Sequence, residues 1–149
     1  MNQHLYLRAY MAGIAFPTAF LLMGLTIFCI VRFAYHVPAP IEQLIIFPMA
    51  VIPNVFGAWN MLFVKLHHRW QLPIGLHGAV LPFFLGPIGA IFAIAMGFIR
   101  VTDRGLNYFG VLHVPYVYLI FAPFIGVAVY YLIWKYAVGF FNKVLGVPC

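Results

Sequence analysis

Acidic side chains are almost missing from this sequence. Glu42 and Asp103 are the only two in 149 residues, and serine is absent altogether. Cysteine is confined to Cys29 and Cys149. Each shortage removes a class of chemistry. General acid and base work by paired carboxylates has no further carboxylates to draw on, and a serine nucleophile is excluded outright. Cys29 lies in a long apolar run with no histidine at the same depth to activate it. The two cysteines are too unlike in setting to form a disulfide framework or a zinc knuckle, and no glycine-rich phosphate loop is present. Enzyme activity by this chain alone is therefore not expected. Charge of any kind is scarce: 7% of the residues are charged, against roughly 25% in a soluble domain. So little charge cannot keep a soluble monomer in water.

Apolar residues make up 66% of the chain and fall into four long runs. They cover residues 9–33, 44–64, 74–99 and 116–134. Each reaches the roughly 20 residues needed to cross a hydrocarbon core about 30 Å thick. Inside lipid the backbone must satisfy its own hydrogen bonds, so runs of this length predict helices. The alternation of a membrane barrel is absent. The expected fold is an all-α integral membrane protein. It has one domain over residues 1–149, four transmembrane helices in a bundle, and a short interfacial tail at 135–149. The first run is longer than the apolar part of a signal peptide and lacks a small-residue cleavage site after it, so it reads as a retained helix.

The formal charge is +6, yet the cations sit singly at span ends instead of forming a patch. Nucleic acid is therefore not an expected partner. Four spans put both termini and the second connection on one side. That side carries five cations: Arg8, Lys65, Arg69, Lys135 and Lys143. The other carries three, Arg32, Arg100 and Arg104, together with both acids. The positive-inside rule then places both termini in the cytoplasm of a bacterial inner or comparable membrane. Trp59, Trp70 and Trp134 fall toward the inner side, and Tyr35, Tyr108, Tyr116 and Tyr118 toward the outer, as interfacial belts require. The third connection, RVTDRGLNYFGVLHVP, is the longest and most polar, and it reads as a loop.

Gly89, Ala93 and Gly97 recur at steps of four on the third span, a small-residue stripe that predicts close helix packing. Prolines interrupt every span, and each interior one removes a helix hydrogen bond. Asn54 and Asn60 lie within the second span. A buried amide must find a partner, so both are expected to act as interhelical glue, with Asn54 on the packing face.

The stretch KLHHRWQLPIGLH concentrates His67, His68 and His77 in thirteen residues. Imidazoles are metal ligands, and His77, one turn beyond Pro73, has the reach to turn back toward the other two. On a helix, His67 and His68 would point about 100° apart, which works against a shared ligand. His36 and His113 form a second candidate set, two imidazoles that would ligate a haem iron from both faces. The plainer alternative is a wet cationic connection at the headgroups. The expected role is thus a non-catalytic integral membrane subunit, structural or assembly-related. Its partners would be the lipid bilayer and other membrane subunits or a second copy of itself. The alternatives are an anchor subunit holding haem or quinone, with the residues favouring neither cofactor, and a small channel or permease.

Overall fold

A computed structural model of the chain describes residues 4–36, 47–108, 110 and 112–148. Glu42, Cys149, the start of the second apolar run at residues 44–46, and the side chains of His68 and Trp70 lie outside the described residues. The elements in chain order are α1 (Leu5–Ala34), α2 (Phe47–Trp70), α3 (Ile74–Ala95), β1 (Ile99–Thr102), β2 (Gly105–Tyr108), β3 (Leu112–Pro115) and α4 (Tyr116–Leu132). A π-helical turn at Ile133–Val138 then leads into α5 (Gly139–Val144). Among the described residues, four helices are long and apolar enough to cross a membrane, the last running from Tyr116 through Val144. The chain divides into two compact units. One joins Met1–Ile74 to Lys135–Cys149, and the other is Gly75–Trp134.

In the first unit α1 and α2 run antiparallel, as residue 9 meets residue 60 and residue 13 meets residue 57. Ala9, Ala12, Gly13, Pro17 and Leu21 line the buried face of α1 at helical spacing. Phe56, Asn60 and Phe63 are buried on α2. At Gly13 the backbones nearly touch. A Cβ there would stand 2.6 Å from the Phe56 carbonyl oxygen and 2.8 Å from the Gly57 Cα. A Cβ on Gly57 would meet the Tyr10 ring at 2.6 Å. In lipid, where water exclusion does not drive helices together, such contact is a main source of association.

In the second unit the first turns of α3 are buried through Gly75, His77, Gly78, Ala79 and Leu81. The Trp134 ring fills the place a Cβ on Gly78 would need, and Tyr131 stands 2.8 Å from such an atom on Gly75. The unit also contains a three-stranded antiparallel sheet in the order β1-β2-β3.

That sheet departs from the expected all-α fold and from the loop expected at the third connection. Ile99 and Val101, Leu106 and Tyr108, and Leu112 and Val114 alternate along the strands, and turn residues separate them. Thr102 pairs with Gly105, leaving the two-residue hairpin turn Asp103–Arg104. Thr102 Oγ1 also donates to the Gly105 carbonyl at 2.8 Å. The Tyr116 hydroxyl donates to the Thr102 carbonyl at 2.7 Å, tying the sheet to α4.

Two boundaries also differ from expectation. Lysine, histidine and arginine all accept helical geometry, so α2 continues through KLHHRW to Trp70. Pro73 restricts the residue before it and confines the connection to Gln71–Pro73. At the other end the chain stays helical through residues 135–144.

On the third span the glycines of the expected stripe face open space among the described residues of this chain. A Cβ at Gly86 or Gly89 would find nothing within 4 Å. Gly97 lies beyond α3 and has φ +73°. Its N–H donates to the Ile94 carbonyl at 3.0 Å, and the Phe98 N–H donates to the Ala93 carbonyl at 2.8 Å. These bonds close the helix end, and the left-handed conformation they need explains the glycine. Within the chain, the close backbone approach at Gly13 and Gly57 lies between α1 and α2.

Gly13→Ala should therefore lower stability by about 1–3 kcal/mol, because backbone must move to admit the methyl. Gly89→Ala should be neutral or gain up to about 1 kcal/mol from helix propensity. Thermal unfolding of both variants in mild detergent checks this. A Gly13→Ala protein as stable as Gly89→Ala would contradict the packing described.

Candidate functional site

The structure distributes the sequence-predicted histidines among separate settings. His36 follows the C-terminal end of α1, exposed and with φ +54°. His113 lies exposed on β3, opposite Asn107 in the strand register. His36 belongs to the first unit and His113 to the second. His67 occupies the last turn of α2. Its ring centroid is 5.0 Å from that of Phe63, and Nδ1 lies 3.4 Å from the Leu72 carbonyl oxygen. That contact belongs to the helix end and its short connection. His68 is next to it on the same helix, with its side chain outside the description.

His77 differs from the others in being 6% exposed. It sits in the first turn of α3, edge-on to Trp134, with ring centroids 5.8 Å apart. The π-helical turn holds Trp134, which is fully buried. A π-helical turn fits an extra residue into the helix and alters the facing of its side chains. His77 and Trp134 belong to one unit and His67 to the other. Among the described residues no three His, Cys, Asp or Glu side chains gather where they would hold a metal ion.

A different polar centre emerges in the first unit. Asn60 is fully buried, and its Nδ2 donates at 2.7 Å to the Ala9 carbonyl of α1 and at 2.7 Å to Asn142 Oδ1 of α5. Asn142, also fully buried, returns a bond from its Nδ2 to Asn60 Oδ1 at 3.2 Å. The two amides thus face each other head-on, and three helices meet at one point. Both hydrogens of the Asn60 amide are used, as low-dielectric surroundings demand.

Asn54 makes a smaller version of the same arrangement. Its Nδ2 donates to the Ala50 carbonyl one turn back at 2.7 Å, and its Oδ1 accepts from the Tyr10 hydroxyl of α1. The carbonyl engaged is that of Ala50, not the Met49 carbonyl that Pro53 leaves without its helix donor.

Sequence reasoning singled out Asn60 but missed its partner. Asn142 lies in a stretch read as an interfacial tail. The available signal was its helical spacing from Val138 and the apolar sequence around it, AVGFFNKVLG. Chemically these amides are neutral, do not titrate and are bonded to one another. Such an arrangement holds helices in register and offers no acid, base or nucleophile.

No known protein family, curated protein or solved structure matches this chain.

Asn60→Leu should cost about 1–3 kcal/mol, since it strands the buried Asn142 amide. The double variant Asn60→Leu/Asn142→Leu should be less destabilised than the two single changes added together. A double-mutant cycle on unfolding free energy reads this coupling. Strict additivity would mean that the amides do not act as a pair.

Proposed function

We propose that this chain is a non-catalytic integral membrane subunit. Its four apolar helices form a transmembrane bundle that serves structure or assembly within a larger membrane complex or a homo-oligomer. The reading is supported chiefly by the use of the polar atoms inside the helices. Asn60 and Asn142 bond to each other and Asn60 to α1, while Asn54 accepts from Tyr10 of α1, which is what a scaffold needs and what a transport path or a proton relay does not.

The outward faces agree with this role. Between 6% and 22% of the residues in the most apolar stretch of each long helix are buried. Large side chains such as Phe83, Ile88 and Ile91 on α3, and Phe121, Phe124 and Ile125 on α4, are exposed. Lipid or other subunits must cover them. The five-to-three cation bias orients both termini toward the cytoplasm of a bacterial inner or comparable membrane.

The rival is a redox anchor that holds haem or quinone, for which the buried imidazole of His77 is the best-placed ligand. An absorption spectrum of gently purified protein separates the two, because haem gives a Soret band. The scaffold reading expects no Soret band and a native mass above that of one chain. A stoichiometric haem lost in His77→Ala would put the redox anchor first. A strictly monomeric, partnerless particle would remove the assembly role.

Orientation is tested by placing Asp103→Cys at the exposed hairpin tip, in a background with Cys29 and Cys149 replaced by alanine. A membrane-impermeant thiol reagent should label intact cells. Labelling only after lysis would reverse the assignment.

A further inference from the structure

The antiparallel pairing of α1 and α2 gathers charges that are distant in sequence. Ala9, Asn60 and Asn142 meet at one level of the first unit. Arg8 is one residue from Ala9, and its guanidinium donates to the Leu145 carbonyl just past α5 at 3.2 Å. Lys65 lies about 7 Å and Arg69 about 13 Å farther along α2 toward the same end, from the helical rise. Lys143 follows Asn142 directly. Lys65, Arg69 and Lys143 are exposed and Arg8 is half-buried. Four cations therefore share one end of this unit. Lys135 lies two turns back along the last helix, with its Nζ 5.3 Å from the Tyr136 ring centroid.

No carboxylate side chain is described in this unit. Asp103 belongs to the other unit, and Glu42 is outside the described residues. Helix electrostatics account for part of the pattern, because cations are favourable at the C-terminal ends of α2 and α5. They do not account for Arg8, which stands in the first turn of α1, where the helix dipole opposes a cation. The shared property is position on one end, not position on a helix.

We infer that the end of the first unit carrying Arg8, Lys65, Arg69 and Lys143 is a docking surface for anionic phospholipid headgroups. The inference rests on the membrane reading above and adds a lipid preference to it. Exposed ammonium and guanidinium groups without carboxylate partners complement phosphate, and guanidinium engages it through two parallel hydrogen bonds. A leaflet rich in anionic lipid attracts each nearby cation by an amount equal to about a five-fold preference. The long stems of lysine and arginine let the heads reach the headgroup layer while the methylenes stay on the apolar helix.

The test uses the full chain in bilayers of phosphatidylcholine with about one third phosphatidylglycerol, at low salt so that screening is weak. One lipid at a time is brominated on its acyl chains. Quenching of tryptophan fluorescence then gives the relative association of each lipid with the protein. The expected result is a several-fold preference for phosphatidylglycerol that falls as salt rises.

Lys65→Gln/Arg69→Gln/Lys143→Gln should bring the preference close to one, and Arg100→Gln/Arg104→Gln in the other unit should leave it unchanged. Arg8 is kept in both because its guanidinium also holds Leu145. Quenching by the two lipids in proportion to their shares of the bilayer, in the unaltered protein, would overturn the inference. So would a preference that survives the triple change, or one that follows Arg100 and Arg104 instead. Quenching by neither lipid would overturn the membrane reading and the inference with it. Quenching by both in proportion to their shares leaves the membrane reading standing alone.

Discussion

Where α1 and α2 cross at Gly13, there is no room for a methyl group between one helix and the backbone of the next. Much of the first unit follows from that distance. Only at such close approach does a side chain as short as asparagine reach a carbonyl on the neighbouring helix, as Asn60 does with Ala9. Once placed there, the Asn60 amide has a second hydrogen and an oxygen to satisfy. Asn142 supplies the matching groups and so fixes where α5 lies. Gly13 and Gly57 thus act before the asparagines in the causal order. Small residues set the separation, and the separation makes the amides compatible with an apolar interior.

The second unit solves its packing differently. It buries a large aromatic ring against the start of α3, and the glycine at position 78 makes space for it. Trp134, fully buried, stands at the start of the π-helical turn. His77, next to that ring, has the surroundings of a packed aromatic partner. The first unit is therefore held by amide hydrogen bonds across a narrow gap. The second is held by ring packing and a short sheet. Both arrangements rely on uncharged groups, which accords with the scarcity of charge in the sequence.

The four long helices were legible because hydropathy over about 20 residues is a strong signal. Their ends were less so. KLHHRW reads as a connection because charge marks the end of a span, yet nothing in those residues stops a helix before Pro73. The small sheet was missed because four-residue strands give too few alternations to stand out from a polar loop. Asp103–Arg104–Gly105 was nonetheless a turn signal in plain sight. Gly97 matched a packing stripe by spacing alone, whereas its left-handed conformation is a property of the backbone that spacing does not report. Asn60 was legible as a polar group in need of a partner. Which residue met that need depended on a contact 82 positions away in sequence, and single-sequence patterns do not carry such contacts.

The length of α1 has a bearing on where this chain is comfortable. Its apolar stretch from residue 9 to 33 is about 37 Å long at the helical rise, some 7 Å more than an average hydrocarbon core. The excess is relieved by leaning the helix, by thickening the lipid around it, or by moving to a thicker bilayer. Because α2 is locked to α1 through Gly13, Gly57 and Asn60, it cannot choose its own lean. Any tilt α1 adopts is imposed on its neighbour. Bilayer thickness thereby acts on the pair as a single lever, and lipids with short acyl chains would strain both helices together.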